Sequence, residues 1–200
     1  MVARLAELGA IGVRGNHDAA ASGQIDTEWF NPDARQAIEW TRRTFAAGSR
    51  AWLSSLPETL VEDGFVLVHG SLRDPTWEYI LDEPDARASL GMLAGFGVTR
   101  GLFGHTHVPM AFRDEGVRRT TAGYGSDGTV ADLDERPILL NPGSVGQPRD
   151  GDARASFLIL DTDAATASWH RIAYDIAAVQ ARMRAARLPE RLATRLAMGR

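Results

Sequence analysis

The sequence predicts a layered α/β fold. Helical spacing of apolar residues dominates the first part of the 200-residue chain, strand-like alternation takes over after residue 108, and two amphipathic helices follow. Helices before and after a run of strands favour packed layers over a helix bundle. With 44% hydrophobic and 24% charged residues, a chain of this length can bury one sizeable core, so we expect a single domain over residues 1–200.

The N-terminal region has the pattern of a chain that begins inside an element. Residues 3–9 resemble the last turns of a helix that Gly9 caps, and residues 10–14 predict a short strand. Chains usually begin at the surface with their own helix cap. We therefore expect this sequence to be the remainder of a longer protein.

Caps and turns predict the next elements. Asn31 before Pro32 is typical of a helix start, and apolar spacing continues that helix toward Gly48. Asp63-Gly64 predicts a hairpin turn. The remaining patterns predict a helix over 50–56, strands over 59–62 and 65–68, a helix over 82–93 and a short strand over 101–103.

The C-terminal half alternates like a set of strands. Strands are predicted over 110–113, 117–121, 138–141, 156–161 and 167–174. Residues 122–134 are the only stretch expected to form a mobile loop. The tail predicts helices over 176–187 and 190–198, separated at Pro189.

Composition excludes several function classes. A net charge of −4 and a pI near 5.7 argue against nucleic acid as the primary partner, because backbone-phosphate binders carry a concentrated basic excess. Without cysteine, any metal must be bound by His, Asn or carboxylates. No apolar run approaches the roughly 18 residues of a membrane span, and the N-terminus lacks the order of a signal peptide. A cytoplasmic protein that does not bind membranes is expected.

Four of the five histidines follow short apolar strands and neighbour glycine or a glycine-containing turn: His17, His69, His105 and His107. Ligand sites in α/β sheets collect at the carboxyl ends of strands. A single histidine of this kind is better explained as a satisfied core or edge residue, but four at equivalent positions favour a metal site. His170 lies inside an alternating strand and is expected to be structural.

Each motif also has a plainer explanation. Gly-His-Thr-His at 104–107 directs two imidazoles toward neighbouring metal positions or forms only a polar turn. Gly-Asn-His-Asp at 15–18 offers a neutral oxygen ligand and an imidazole beside a carboxylate, or an ordinary turn. His69 followed by Gly70 is weak alone. The order of the three along the chain makes them informative together.

That order resembles the last three motifs of calcineurin-like metallophosphoesterases. The segment Asn-Pro-Gly-Ser-Val-Gly-Gln-Pro-Arg at 141–149 resembles the one that follows in their small bacterial phosphodiesterase-like branch. The resemblance covers essentially the whole chain. It implies a two-sheet β-sandwich flanked by helices, in a four-layer arrangement, and hydrolysis of a small phosphoester at a dinuclear metal centre.

The resemblance also implies residue roles. Asn16, His69 and His105 would bind one metal ion, and His107 the other. His17 would protonate or stabilise the leaving group, with Asp18 orienting it. Mn²⁺ is the favoured ion, with Fe, Zn, Ni and Mg as alternatives. Two divalent ions can clamp a phosphoryl group and neutralise the charge that develops on its oxygens.

Three further residues could contact a ligand, but a structural role is favoured for each. Arg149 could bind a phosphate oxygen bidentately, but a solvated arginine on a loop near the site is favoured. Trp77 and Tyr79 could stack on a base, but apolar packing is favoured.

The sequence departs from the family pattern at its start. Neither the Asp-x-His motif nor the Gly-Asp motif that begin the pattern lies upstream of residue 15, so the bridging aspartate and the first strands are missing. A misplaced start codon or an interrupted gene is favoured over a naturally short protein. The alternative function is therefore a catalytically inactive metal-binding or scaffold protein. A zinc peptidase is disfavoured because His-Glu-x-x-His is absent.

Overall fold

The computed structural model describes residues 2–117 and 119–200, which fold around two β-sheets. The strands are β1 (Thr59–Glu62), β2 (Phe65–Val68), β3 (Arg100–Leu102), β4 (Pro109–Asp114), β5 (Thr120–Tyr124), β6 (Val130–Asp132), β7 (Ile138–Pro142), β8 (Ala155–Asp161) and β9 (Thr166–Ile172). The larger sheet has the order β1-β2-β3-β7-β4-β5 and the smaller has the order β6-β9-β8. β3 pairs in parallel with β2 and β7, and the other neighbours are antiparallel.

The helices lie mostly before and after the strands, as predicted. They are α1 (Val2–Glu7), α2 (Asn16–Ser22), α3 (Pro32–Thr44), α4 (Ala47–Ser55), α5 (Glu83–Met92), α6 (Ile176–Ala185) and α7 (Glu190–Thr194), with 3-10 helices at Leu93–Phe96 and Arg195–Met198. The predicted cap is present, because the side chain of Asn31 accepts a hydrogen bond from the N–H of Ala34 at 3.0 Å. Within the described residues, none of these helices has the length and apolarity that crossing a bilayer requires. The predicted cytoplasmic location stays a prediction.

The larger sheet is buried on both faces, which explains its short continuous apolar runs. Along β2, Val66 and Val68 join the core beneath α5, whereas Phe65 and Leu67 join the core that faces the smaller sheet. β7 alternates in the same way: Leu139 faces the helix side, and its neighbours Ile138 and Leu140 face the smaller sheet. These alternations place the larger sheet between a helix layer and a second sheet.

The smaller sheet completes the sandwich. Trp169 of β9 is 1% exposed and packs in the core between the sheets. Its indole Nε1 donates to the carbonyl oxygen of Asn141 at 2.8 Å, so the one polar atom of the buried ring is satisfied. The predicted α/β fold, a two-sheet sandwich flanked by helices, is confirmed.

The predicted hairpin is also confirmed. Glu62 pairs with Phe65 across a two-residue turn. Asp63 and Gly64 have φ angles of 47° and 77°, the left-handed conformations that a type I′ turn requires at both positions. The turn connects the edge strand β1 to β2, whose far end leads into the candidate site.

Two predicted elements were wrong. Residues 10–14 form no strand: the N–H of Arg14 donates to Pro57 O at 2.8 Å, but no ladder with a neighbouring strand exists within the described residues. An apolar run becomes a strand only where a partner satisfies its backbone groups.

Residues 122–134 are not a mobile loop. They contain the end of β5 and all of β6, which pairs with β9, and Leu133 is buried in the core between the sheets. The preceding strand begins at Thr120 rather than at Val117, which lies in the turn with φ 45°. The predicted strand also included Arg118, which lies outside the described residues. The start of β5 and the position of β6 both depend on pairing with distant strands, which the local sequence pattern does not contain.

Candidate active site

The parallel pairing of β2 and β3 brings two predicted motifs to one edge of the larger sheet. His69 follows β2 directly, and the Gly-His-Thr-His turn follows β3. Asn141 lies at the corresponding end of β7, the other parallel neighbour of β3. Because the carboxyl ends of parallel strands meet at the same edge, residues distant in sequence converge there.

The Gly-His-Thr-His turn has an uncommon backbone. His105 and His107 have φ angles of 65° and 61°, in the left-handed region that residues with a Cβ rarely adopt. The side chain of buried Asn141 supports the turn, since its Nδ2 donates to Gly104 O and to Thr106 Oγ1, both at 3.0 Å. Such strained positions persist only where the surroundings hold them, and they concentrate at functional sites.

His69 and His105 form a close pair, which we call the histidine pair. Nε2 of His69 lies 2.9 Å from Nδ1 of His105. The other ring nitrogen of His105, Nε2, lies 3.2 Å from the carbonyl oxygen of Trp77, which can only accept a hydrogen bond. That carbonyl therefore holds the proton on Nε2 and leaves the lone pair of Nδ1 directed at His69.

Packing fixes the positions of both rings. The ring of Tyr79 stacks on His105 with the centroids 3.7 Å apart. A Cβ added to Gly15 would lie 2.7 Å from Nδ1 of His69, so only glycine allows this close approach of the chain to the imidazole. The histidine pair is thus held from both sides before any ligand enters.

The Asn16-His17-Asp18 motif forms the first turn of α2 and lines the same cavity as the histidine pair. Asn16 is 6% exposed, and its Oδ1 accepts from the N–H of His17 at 2.9 Å. The predicted role of Asp18 in orienting His17 stays a prediction, and the contact that the structure gives Asp18 is a different one. Its Oδ2 accepts from the N–H of Gly15 at 3.0 Å, as the cap of α2, whereas the His17 ring packs edge-on against Phe30 at 5.0 Å.

His107 is held by the loop after β7. Its Nδ1 lies 2.7 Å from the carbonyl oxygen of Gln147, so Nδ1 keeps the proton and Nε2 is free as a ligand atom. The side chain of Gln147 accepts from Nε and Nη2 of Arg149 at 3.2 and 2.8 Å. Arg149 is therefore half-buried at the cavity. The favoured expectation, a solvated arginine on a loop, was wrong.

Burial keeps the imidazoles neutral. Desolvation, with a smaller contribution from the neighbouring histidines, lowers the pKa of His69 to about 3. Desolvation first, followed for His107 by the charge of Arg149, lowers the pKa of His105 and of His107 to about 4. The pKa of His17 is also lowered, by burial and then by Arg149. At neutral pH these rings are in the deprotonated form that binds divalent ions.

The histidine pair fits two neighbouring positions on one metal ion. Two metal–nitrogen bonds of about 2.1 Å at a right angle place the nitrogens about 3 Å apart, and the measured separation is 2.9 Å. Among the described residues, however, no three His, Asp or Glu side chains are arranged to hold an ion. The pair is therefore part of a site, and Asn16, which lines the same cavity, is the candidate in the motif set for an oxygen ligand.

These residues line a cavity of about 670 Å³, within the size range of small-molecule sites. The cavity brings together all six predicted site residues: Asn16, His17, Asp18, His69, His105 and His107. His170 lies elsewhere, stacked on Phe157 in the smaller sheet, as expected of a structural residue. Trp77 packs against Phe30 and Tyr79 stacks on His105, but both rings are exposed and line the cavity, so the favoured apolar packing stays a prediction.

Sequence reasoning missed the far wall of the cavity. Arg191 and Arg195, together with Leu188 and Leu192, reach it from the C-terminal helices. Exposed Trp29 lines it from the segment before α3. No local motif marks these residues, because only tertiary packing brings the tail to the site.

Comparison with known proteins agrees with this geometry. The chain matches the calcineurin-like phosphoesterase superfamily domain over residues 1–165. It is 32% identical over 200 residues to the uncharacterised protein MJ0912 of Methanocaldococcus jannaschii, covering 97% of this chain and 77% of that protein. It is similar to a metallophosphoesterase from Sphaerobacter thermophilus, with a TM-score of 0.87, 42% identity and coverage of 100% of this chain and 81% of that one.

A further structure shares the fold alone. The hypothetical protein PH1004 from Pyrococcus horikoshii aligns with a TM-score of 0.74 at 18% identity, over 98% of this chain and 75% of that one. The architecture is thus retained where most of the sequence differs.

Proposed function

This chain belongs to the calcineurin-like phosphoesterase superfamily, and we propose that it serves in the metal-dependent hydrolysis of phosphomonoesters or phosphodiesters. The observation that carries the proposal is the histidine pair: two neutral imidazoles, one buried and one half-buried, whose facing nitrogens are 2.9 Å apart at the end of parallel strands. One turn with two left-handed residues, His105 and His107, and the close approach of Gly15 hold this pair in place.

The proposed ligands follow the geometry of the cavity. Asn16, His69 and His105 would hold one divalent ion, and Nε2 of His107 would contribute to a second. Two bound ions would supply Lewis-acid stabilisation of the phosphoryl oxygens and an activated water nucleophile. Mn²⁺, rather than Fe, Zn, Ni or Mg, stays a prediction.

His17 is the proposed proton donor to the leaving group. Burial and the charge of Arg149 lower its pKa, so the ring is neutral while the cavity holds no anion. An entering phosphate places negative charge nearby and raises the pKa of an imidazole, so substrate binding would protonate the ring that later donates the proton. Phe30, packed edge-on against it, keeps the ring in one orientation.

A second candidate function is a metal-binding or scaffold protein without catalytic activity. The observation that favours it is that the described residues include no group of three His, Asp or Glu side chains that could hold an ion. His107 would then have too few partners to retain its ion. Equilibrium dialysis with Mn²⁺ separates the two candidates: about one weakly held ion per chain, or none, favours the second, and two tightly held ions favour the first.

Activity assays test the leading proposal directly. The protein is incubated with bis-p-nitrophenyl phosphate or p-nitrophenyl phosphate and Mn²⁺, and His17→Ala is compared with His170→Ala as a matched histidine variant outside the cavity. We expect Mn²⁺-dependent release of nitrophenolate that His17→Ala lowers by about 100-fold or more and that His170→Ala leaves unchanged. Metal-independent turnover, or equal rates in the two variants, would refute the proposal.

A further inference from the structure

We propose that Arg149, Arg191 and Arg195, the arginine trio, form a second anion-binding subsite, so that the ligand of this cavity is a phosphoester with a second phosphate-like group. The inference rests on the proposed function for the first phosphate only. All three side chains line the same cavity as the candidate metal ligands. None of them forms an ion pair with a carboxylate among the described residues.

The carboxylates next to the trio in sequence are bound elsewhere. Asp150, which follows Arg149, forms a partly buried ion pair with Arg171 on the smaller sheet. Glu190, which precedes Arg191, accepts hydrogen bonds from Nε and Nη2 of Arg184 at 2.7 to 3.1 Å. Both acidic neighbours are thus turned away, so neither of them neutralises the positive charge of the trio.

Arg195 lies close to the two other positive charges of the trio. Burial, and then the charges of Arg149 and Arg191, lower the pKa of its guanidinium. Its Nε donates to the main-chain oxygen of Arg200. A fixed side chain with two like charges nearby is the arrangement that binds phosphate or carboxylate oxygens, since an anion removes the repulsion within the cluster.

The formal charges that line the cavity support an anionic ligand. The trio contributes three positive charges, whereas Asp18 and Asp33 are the carboxylates among the lining residues. The pKa of Asp18 is raised, chiefly by burial, which disfavours its charged form. This local excess of positive charge stands in a chain whose net charge is −4.

The trio extends away from the histidines. The main-chain N–H of Arg149 donates to His107 O at 3.2 Å, which places Arg149 beside the Gly-His-Thr-His turn. Arg191 and Arg195 come from the C-terminal helices instead. A ligand with one phosphate at the histidines and a second at Arg191 and Arg195 would therefore span the cavity, with Arg149 between them.

Calorimetric titration in EDTA tests the subsite without relying on metal or turnover. The probes are propyl phosphate and a series of alkane-α,ω-diyl bisphosphates from ethane to hexane. We expect the best bisphosphate to bind about tenfold or more tightly than propyl phosphate, the effect of one added charge-assisted contact. The chain length with the tightest binding would report the separation of the two subsites.

Three variants make the outcome decisive. Arg191→Gln alone and Arg191→Gln/Arg195→Gln are expected to abolish the preference for bisphosphate, while Arg182→Gln, an exposed arginine of α6 that does not line the cavity, retains it. Arg191 is exposed, so its single variant gives a reading even if replacing the more buried Arg195 impairs folding.

Equal binding of mono- and bisphosphates by the unaltered protein, or full preference in Arg191→Gln, would overturn the proposal. A preference that persists in a protein without Mn²⁺-dependent hydrolysis would support the subsite and count only against the proposed function.

Discussion

The two sides of the cavity are built for different partners. On one side, His69 and His105 direct neutral nitrogens toward each other across 2.9 Å. On the other side, a single imidazole, His107, is held by a loop carbonyl next to the positive charge of Arg149. Convergent neutral nitrogens suit a cation, whereas the guanidinium of Arg149 beside a single imidazole adds a group that binds an anion. One edge of the larger sheet can therefore provide two kinds of binding group. We call His69 and His105 the cation half, and His107 with Arg149 the anion half.

The largest expected effect is a difference in Mn²⁺ affinity between variants that remove His69 and variants that remove His107. His69→Ala takes one of two facing nitrogens from the histidine pair, and we expect Mn²⁺ affinity to fall by at least about 100-fold, above the range of losses seen for residues that only support a ligand. His107→Ala should lower the affinity for the most tightly bound Mn²⁺ ion much less than His69→Ala does. Isothermal titration with Mn²⁺ measures both, with His170→Ala as the control. Equal losses at the two positions would contradict the asymmetry.

Gly15→Ala should weaken the cation half without removing any ligand. The added Cβ would lie 2.7 Å from Nδ1 of His69, so the ring or the turn before α2 must move. We expect about a tenfold loss of Mn²⁺ affinity, because metal binding tolerates little displacement of a ligand. Gly12→Ala is the matched control, since a Cβ there meets nothing within 4 Å. The same affinity in both variants would show that His69 is not held by this contact.

Acid should destabilise the fold through the same side chains. The pKa of His69, His105 and His107 is lowered to between about 3 and 4, while an unfolded histidine takes up its proton near 6.5. The unfolded state then binds more protons, so their contribution to the free energy of unfolding is fully present above pH 6.5 and is lost as pH falls toward 4.

Urea unfolding in EDTA between pH 7 and 4.5 measures this loss. We expect the free energy of unfolding to decrease by an amount on the order of 2 kcal/mol, allowing for partial exposure of the rings. His69→Gln should flatten the dependence, whereas His170→Gln should leave it as it is. A flat profile in the unaltered protein would show that the rings are not buried in neutral form.

Arg149→Gln should give the smallest effect and the most local one. Its charge lowers the pKa of His17, His105 and His107 but is not among the causes that lower the pKa of His69, so the substitution should raise the first three slightly and leave His69 unchanged. Titration of the imidazole proton resonances by NMR in EDTA resolves the four rings. A shift of His69 equal to the others would show that the charge of Arg149 acts on His69 as strongly as on those three rings.

Local patterns predicted most of the fold because they act over a few residues. The cap of α3 at Asn31, the turn at Asp63-Gly64 and the alternation along β2 each depend on neighbours in sequence. The segments 10–14 and 122–134 were predicted wrongly for the opposite reason. Whether an extended segment is a strand depends on a distant partner that pairs with its backbone.

The candidate site divides along the same line. The sequence by itself predicted which side chains would hold a metal ion, because with no cysteine and five histidines the choice is narrow and the motif order marks the family. The cap of α2 is also local, since Asp18 accepts from Gly15 three residues earlier. Only the tertiary structure decided that Gly15 admits His69, and that Arg191 and Arg195 reach the cavity. Chemical type is a local property of a residue, whereas proximity between residues more than a hundred positions apart exists only once the sheets and the C-terminal helices have packed.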